Sequence, residues 1–362
     1  MFIFGADKSE YVPVDSVAIP HDRQLPIANE YGHYTTADEI VKGMDLTGKN
    51  VVITSGYAGT GLVTTKALAG AGARVICLAR DLKRAAGNLK GIPNVEIEYL
   101  DLLKPDTIDA AAEKILARNI PIHILINHAG IIATPLTRDD RGYEYQFSTN
   151  MLDHFQLTAR LFPALAQANG ARVINVASRG HRECGVNFDD IHYKFSEYVP
   201  MKAYGQSKTG LILFTVRLDE MAQKYNIRSF AVHPGPIPSS DIFAASRVNI
   251  GSDFQVSFLR FTAKFMRNTN FTALENAIRR PKNVGDIWKN VQQGAATSVW
   301  AAVSDNLDGL GGVYVEDCNI AVVVPNGSAA PFGVRPWALD KESAERLWKT
   351  CEEMIGVTFT IE

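Results

Sequence analysis

A tyrosine and a lysine stand four residues apart in the segment KAYGQSKTGLILFTVRL, as Tyr204 and Lys208. The apolar spacing of this segment is helical, so the two side chains lie one turn apart on one face. A phenol has a pKa of about 10, which is too high for proton transfer at neutral pH. Because a neighbouring ammonium group favours the phenolate and lowers that pKa, Tyr204 is a candidate general acid or base. Taken alone, such a pair is most often an ordinary helix surface pair, so the rest of the chain has to support this interpretation.

A glycine-rich turn follows the apolar run VVIT at 51–54. It reads Ser55-Gly56-Tyr57-Ala58-Gly59-Thr60-Gly61 and leads into the helical pattern LVTTKALAGAGA. Glycines allow a tight turn and let the backbone approach a pyrophosphate, whose charge is stabilised by free N–H groups at a helix start. The pattern predicts a dinucleotide-binding turn, with a tight turn that binds no ligand as the alternative.

The second apolar run, RVICLA at 74–79, is followed by Arg80. An acidic residue at this place would accept hydrogen bonds from the adenosine ribose, whereas an arginine suits the additional phosphate of NADP. The pair Ala79-Arg80 therefore favours NADP(H). The alternative is that Arg80 and Lys83 form a solvated helix start.

Apolar runs of strand length alternate with helical segments from Asn50 onward. This alternation predicts an α/β fold with a Rossmann-type, doubly wound parallel sheet in three layers. We expect an N-terminal extension at 1–44, a catalytic domain at 45–325 and a C-terminal tail with a helix at 326–362. A capping box at Thr36-Ala-Asp-Glu39 starts a short helix that ends near Gly43. The predicted strands are 51–54, 74–79, 95–100, 122–126, 172–177, 228–232 and 312–317.

Composition excludes several classes of partner. Lys and Arg number 37 against 39 Asp and Glu, so there is no basic surplus to hold a nucleic acid. The four cysteines are widely spaced and fit a reducing cytoplasm, and no set of histidines and cysteines has metal-ligand spacing. No apolar stretch reaches the length of a membrane span. A homo-oligomer is compatible with this composition.

The ordered set of motifs resembles the classical short-chain dehydrogenases/reductases, and within them the NADP-preferring, retinol-dehydrogenase-like branch, over about residues 45–325. The family's TGxxxGxG loop corresponds to Thr54–Gly61, with Ser55 in place of the first glycine. The family's NNAG sequence corresponds to 127–130, with His128 in place of the second asparagine. Asp101 matches an acidic residue that contacts adenine, and His233–Ser239 matches the segment that frames the nicotinamide. The implied cofactor contacts are Ser55, Gly56, Tyr57, Gly59, Thr60, Gly61, Arg80, Asp101, Leu102, Asn127, Ala129, Gly130, Tyr204, Lys208, Pro234, Gly235, Ile237 and Ser239.

The same resemblance implies a catalytic tetrad. Asn150 would hold a water near the lysine, and Ser178 would hydrogen-bond the substrate oxygen. Tyr204 and Lys208 complete the set, with Lys208 also holding the nicotinamide ribose. We therefore expect an NADP(H)-dependent oxidoreductase that interconverts a small-molecule carbonyl and an alcohol. The alternatives are reduction of an enone C=C bond and, given Ser55 and His128, a non-catalytic NADP(H)-binding regulatory protein.

The stretch 241–282 interrupts the alternation where the family places its substrate lid. It carries a stripe of phenylalanines at helical spacing, Phe254, Phe258, Phe261 and Phe265. This stripe favours a bulky, mostly apolar ketone or aldehyde, with burial in the core or at a subunit interface as the alternative. His154 and His233 are expected to be structural. His181 could touch substrate, but an exposed loop position is at least as well supported.

Overall fold

An eight-stranded sheet forms the centre of the molecule, in the order β3-β2-β1-β4-β5-β6-β7-β8. The computed structural model describes residues 23–238, 273, 276–277 and 284–359, so Ser239 and nearly all of the predicted lid, with its four phenylalanines, lie outside the described residues. The first seven strands are parallel, and β8 is antiparallel to β7. This topology confirms the predicted Rossmann-type α/β fold. The strands are β1 (Asn50–Thr54), β2 (Arg74–Ala79), β3 (Val95–Tyr99), β4 (Ile124–Asn127), β5 (Arg172–Val176), β6 (Arg228–His233), β7 (Val313–Glu316) and β8 (Asn319–Ile320).

The central strands read as continuous apolar runs because helices cover both faces of the sheet. In β1, for example, Val51, Val52 and Ile53 are all fully buried. Each predicted strand matches an observed one to within two residues, but the prediction missed β8. That strand is only two residues long, and the reversal before it places Asp317 and Cys318 at φ 51° and 55°. Left-handed residues of this kind are typical of two-residue hairpin turns, but Asp-Cys is not the usual sequence for one.

Two layers of helices complete the fold, with one hydrophobic cluster on each face of the sheet. One face is covered by α4, α6, α7 and α9, and the other by α1, α2, α3 and α8. Among the described residues no helix is long and apolar enough to cross a membrane. The helices are α1 (Ala37–Ile40), α2 (Gly59–Gly70), α3 (Leu82–Asn88), α4 (Pro105–Leu116), α5 (Tyr145–Phe147), α6 (Asp153–Gln167), α7 (Pro200–Ala222), α8 (Val291–Val303) and α9 (Lys341–Ile355).

The predicted capping box at the start of α1 is present. The Thr36 hydroxyl accepts from the backbone N–H of Glu39, and the Glu39 carboxylate accepts from the N–H of Thr36. The segment before α1 is held on the far edge of the sheet by Gln24, whose side chain is 1% exposed. Its amide donates to the carbonyls of Tyr314 and Ala321 and accepts from the N–H of Tyr314. The described part of the N-terminal extension therefore covers the β7–β8 edge.

The strand order places a crevice next to β1. This strand pairs with β2 on one side and with β4 on the other. The strands that follow β1 are therefore added first on one side of it and then on the other. In open α/β sheets such a point is where the loops at the carboxyl ends of the strands separate and a ligand can enter. The loops after β1, β2, β4, β5 and β6 all meet at this edge.

Candidate active site

A cleft of about 1290 Å³ lies at the carboxyl ends of the parallel strands. Most of the predicted site residues line it: Ser55, Tyr57, Gly59, Thr60, Arg80, Asp101, Leu102, Ala129, Gly130, Ser178, Tyr204, Lys208, Pro234, Gly235 and Ile237. Gly56, Gly61, Asn127 and Asn150 are not among the lining residues. Residues from six different loops thus converge on one cavity, although they are spread over more than half of the sequence.

The glycine-rich turn presents a bare helix start to the cleft. The residue before α2 is Ala58, and no side chain caps the helix there. Its first N–H groups are therefore available to an anion such as a pyrophosphate. Gly61 lets this turn close tightly, since a Cβ at that position would lie 2.6 Å from the carbonyl oxygen of Ser55.

Ser55, which replaces a glycine of the family motif, has φ 58°. Its N–H donates to the Leu78 carbonyl at 2.8 Å, so the turn keeps its link to β2. A serine in the left-handed region costs roughly 1–2 kcal/mol relative to ordinary backbone conformations. The turn therefore survives the replacement, at some cost in stability.

Ser55→Gly is expected to raise the free energy of unfolding by about 0.5–1 kcal/mol, because glycine adopts this conformation without steric strain. Urea denaturation measures the change. Ala58→Gly is the matched control in the same turn, since Ala58 has φ −147° and gains nothing from glycine. A Ser55→Gly variant less stable than the wild type would show that the turn is not strained at this residue.

Arg80 lies at the end of β2, and its side chain reaches the cleft. It is exposed, and within the part of the chain that the structure describes it makes no hydrogen bond or ion pair. The neighbouring Asp81 does not compete for a ligand, because its carboxylate caps α3 by accepting from the N–H of Arg84 at 2.9 Å. This end of the cleft thus offers an unpaired guanidinium to an anion.

Asn127 and His128, at the end of β4 and in the loop after it, contact different parts of the fold. The buried Asn127 amide donates to Asn175 at 2.8 Å and to Thr158 at 3.1 Å, which ties β4 to β5 and α6. His128 Nε2 lies 2.9 Å from the hydroxyl of Thr60 at the start of α2. Burial lowers the pKa of His128 to about 4, so its ring is neutral at pH 7. His128 therefore connects the loop after β4 to the glycine-rich turn.

Tyr204 and Lys208 lie on α7 and are 4% and 3% exposed. Lys208 Nζ donates to the carbonyl of Val176 at 2.8 Å and lies 5.7 Å from the centroid of the Tyr204 ring. Ser178 follows β5 and lines the same cleft. The structure therefore brings three of the four predicted catalytic side chains to one wall of the cleft.

The expectation that Lys208 would lower the pKa of Tyr204 is wrong for this arrangement. Burial raises the pKa of Tyr204 to about 12 and outweighs the hydrogen bond from Ser178. Burial also lowers the pKa of Lys208 to about 7. At neutral pH Tyr204 is consequently a phenol with a proton to donate, and Lys208 carries only part of its charge.

Two glycines missed by the sequence analysis fix the position of the Tyr204 ring. The chain after Ser178 forms a 3-10 turn, Arg179–Glu183, whose first free N–H, that of Gly180, donates to the Ser178 hydroxyl at 3.0 Å. A Cβ on Gly180 would lie 2.6 Å from Tyr204 Cε1, and one on Gly205 would lie 2.7 Å from the carbonyl oxygen of Gly180. The turn thus packs directly on the ring, and the only sequence signal is the glycines themselves.

Asn150 lies behind the cleft, in a π-helical turn at Ser148–Leu152 that runs into α6. Its Oδ1 accepts from the N–H of Ile131 at 2.8 Å. Its Nδ2 donates to the carbonyl of Ile131 at 3.0 Å and to the hydroxyl of Ser207 at 2.9 Å. Both amide hydrogens are therefore used, and the side chain fastens the loop after β4 to α7.

The backbone carbonyl of Asn150 is held by His154. Thr54 Oγ1 accepts from the N–H groups of His128 and Ala129, so its own hydrogen points to His154 Nε2, 3.0 Å away. His154 Nδ1 must then carry the ring proton and donate to the carbonyl of Asn150 at 3.0 Å. His154 is structural, as expected. It links the end of β1 to the π-helical turn.

His181 does not occupy an exposed loop position, so that expectation is wrong. It is fully buried in the 3-10 turn, where its Nδ1 lies 2.8 Å from the carbonyl of Ser178 and its Nε2 accepts from the N–H of Arg335 at 3.2 Å. The turn folds inward because its backbone lies against α7. His233 has a structural contact as well, accepting from the N–H of Arg179 at 3.3 Å.

The C-terminal tail supplies a wall of the cleft that the sequence analysis did not foresee. Ser328, Pro331 and Arg335 line the cavity beside the 3-10 turn. Beyond them, α9 buries Leu347, Trp348 and Cys351 in the cluster that includes α6 and α7. The described residues contain no group of three side chains that could bind a metal ion.

Comparison with known proteins agrees with this geometry. A sequence profile of the family described as short chain dehydrogenase matches residues 49–249. A "Probable oxidoreductase" of Streptomyces lividans is 36% identical over 312 residues, which are 84% of this chain and 97% of that protein. Retinol dehydrogenase 12 of Mus musculus is 31% identical over 320 residues, which are 87% of this chain and 88% of that protein. The crystal structure of an uncharacterized protein from Mycobacterium paratuberculosis has a TM-score of 0.65 and 27% identity, over 90% of this chain and 99% of that one.

Proposed function

The chain belongs to the short-chain dehydrogenase/reductase family, and from that premise we propose that it is an NADP(H)-dependent reductase of a ketone or aldehyde. The observation that carries the proposal is that Tyr204, Lys208 and Ser178 line the same cleft as the uncapped start of α2. Tyr204 and Lys208 are both buried. They are therefore not the solvent-exposed helix pair that their spacing alone would most often indicate.

The residues present fit a dinucleotide. The uncapped start of α2 suits the pyrophosphate, and Gly61 allows the tight turn that leads into this helix. At the adenosine end, Arg80 has no partner of its own among the described residues and suits a 2′-phosphate. Pro234, Gly235 and Ile237 would frame the nicotinamide beside Ser178. When bound, NADP(H) supplies the hydride.

We expect a preference for NADPH over NADH that depends on Arg80. A charge-assisted contact to a phosphate contributes about 1.5–3 kcal/mol, which is roughly tenfold to a hundredfold in affinity. Arg80→Ala should therefore weaken NADPH by that factor and leave NADH unchanged, as measured by cofactor fluorescence titration. Arg160→Ala, on the far side of α6 and paired with Asp109, is the control. Equal affinity of the wild type for both cofactors would remove the basis for this assignment.

The protein's own groups prepare the carbonyl for reduction. Ser178 donates a hydrogen bond to the substrate oxygen, and Tyr204 transfers its proton to that oxygen as negative charge develops on it. Lys208 Nζ lies 5.7 Å from the centroid of the Tyr204 ring. It would hold the nicotinamide ribose and would help to return a proton to Tyr204 after the transfer. Asn150 acts as a positioning residue, because its amide fixes the loop after β4 relative to α7.

The protonation state of Tyr204 supports reduction as the proposed direction at neutral pH. Burial raises the pKa of this phenol to about 12, so the group is protonated. Alcohol oxidation would need the phenolate, which burial disfavours in this site. The proposed physiological direction is therefore from carbonyl to alcohol.

A screen of NADPH oxidation with ketones, aldehydes and an enone tests the proposal. The expected products are alcohols, and an allylic alcohol from the enone. A saturated ketone from the enone would instead identify a C=C reductase. Tight NADPH binding without turnover of any compound would identify a non-catalytic cofactor-binding protein and contradict the proposal.

A further inference from the structure

Three arginines line the part of the cleft next to Tyr204. Arg179 and Arg182 belong to the 3-10 turn that packs on the tyrosine ring, and Arg335 comes from the C-terminal tail. Arg335 is connected to the same turn, since its backbone N–H donates to Nε2 of His181. The cluster is thus fixed relative to the proposed proton donor.

Two of these arginines have buried N–H groups that form no hydrogen bond with any described residue. Arg335 is 2% exposed, and its Nη2 donates to the carbonyl of Ser328 at 2.5 Å while its Nη1 has no partner. Arg182 Nε is also buried without a partner. Neither guanidinium forms an ion pair with a carboxylate in the described residues. A buried cation without a counter-charge is costly, and native structures normally pair it.

The acidic groups nearby form no ion pair with Arg182 or Arg335. Asp286 lies 3.6 Å from Arg179, which also donates to the carbonyl of Gly285 at 2.9 Å. Burial raises the pKa of Glu316 to about 7, so this carboxyl carries only part of its charge at neutral pH, and it accepts from the N–H of Gly333. Glu183 is exposed to solvent. Arg182 and Arg335 therefore remain an unpaired cationic pair.

We propose that Arg182 and Arg335 bind a carboxylate of the substrate, so that the enzyme acts on an oxo acid. Two guanidiniums that line the cleft and have no carboxylate partner among the described residues can together bind one carboxylate. The rest of the substrate extends along the apolar part of the cleft, past Ile132 and Met201. The assignment of the carbonyl to Tyr204 rests on the proposed function, whereas the assignment of the carboxylate rests on the arginines alone.

Calorimetry with unreactive ligands tests the carboxylate site without requiring turnover. The probes are 4-phenylbutanoate and its methyl ester, titrated with and without saturating NADP⁺ so that binding at cofactor phosphate sites is recognised. We expect the acid to bind roughly tenfold to a hundredfold more tightly than the ester. Arg182→Gln should abolish this difference and leave the affinity for the ester within about threefold. Arg346→Gln, a surface arginine paired with Asp189, is the control and should leave the difference intact.

Each possible result of these titrations either supports or contradicts the carboxylate site. Equal affinity for acid and ester in the wild type would overturn the carboxylate site, even if ketones without an acid are reduced. An acid preference that Arg182→Gln leaves intact would also overturn it, because the anion would then bind elsewhere. Arg335→Gln, checked for folding by its melting temperature, is the second variant and should give the same loss as Arg182→Gln. An acid preference with no NADPH-dependent turnover would support the site and contradict the proposed function.

Discussion

Tyr204→Phe is expected to lower kcat by a factor of about 10²–10⁴, the contribution of a placed proton donor. The change removes one hydroxyl and keeps the ring that Gly180 packs against. Cofactor binding should persist, because Lys208 keeps its bond to the Val176 carbonyl. Single-turnover reduction with saturating NADPH measures the chemical step directly.

Tyr99→Phe is the control for this experiment. Tyr99 lies on the edge strand β3, is 38% exposed, and is not among the residues that line the cleft. It should retain wild-type kcat. A Tyr204→Phe variant that kept more than about a tenth of the wild-type rate of the chemical step would contradict the role of Tyr204 as proton donor.

Gly180→Ala is expected to lower kcat by roughly a hundredfold, the effect of misplacing a catalytic group by about 1 Å. The added methyl would lie 2.6 Å from Tyr204 Cε1 and 2.8 Å from Cδ1, so either the ring or the turn must move. Since Ser178 precedes this turn, the movement also disturbs the group that polarises the substrate oxygen. The affinity for NADPH should change little, because the atoms nearest to a Cβ on Gly180 belong to Tyr204 and Ser178 and not to the glycine-rich turn.

Gly87→Ala in α3 is the matched control, because a Cβ there meets no atom within 4 Å. It should leave kcat unchanged and raise stability slightly, as alanine favours a helix more than glycine does. A Gly180→Ala variant with the kcat of the wild type would show that the turn does not set the position of Tyr204.

The sheet was predictable because parallel strands buried on both faces leave long apolar runs in the sequence. Seven strands were found in this way, from β1 to β7. The eighth was not, since a strand of two residues leaves no run, and its hairpin turn uses Asp317 and Cys318. The capping box of Thr36 and Glu39 was predictable because both partners lie within one turn of helix.

The candidate site was predictable where its residues lie in contiguous motifs, such as the glycine-rich turn and the Tyr204–Lys208 pair. It was not predictable where the contact joins distant parts of the chain. Arg335 meets the 3-10 turn across more than 150 positions through its bond to His181. The pKa of Tyr204 was also misjudged, because the sequence shows the neighbouring lysine but not the burial that opposes its effect.

Hydride transfer to a carbonyl is tested most directly by the reduction of a ketone with NADPH that carries deuterium at the transferred position of the nicotinamide. We expect an alcohol with one deuterium on the former carbonyl carbon, formed by the wild type and, only at the reduced rate given above, by Tyr204→Phe. An alcohol without deuterium, or a product labelled on a C=C carbon, would contradict carbonyl reduction by hydride transfer in this cleft.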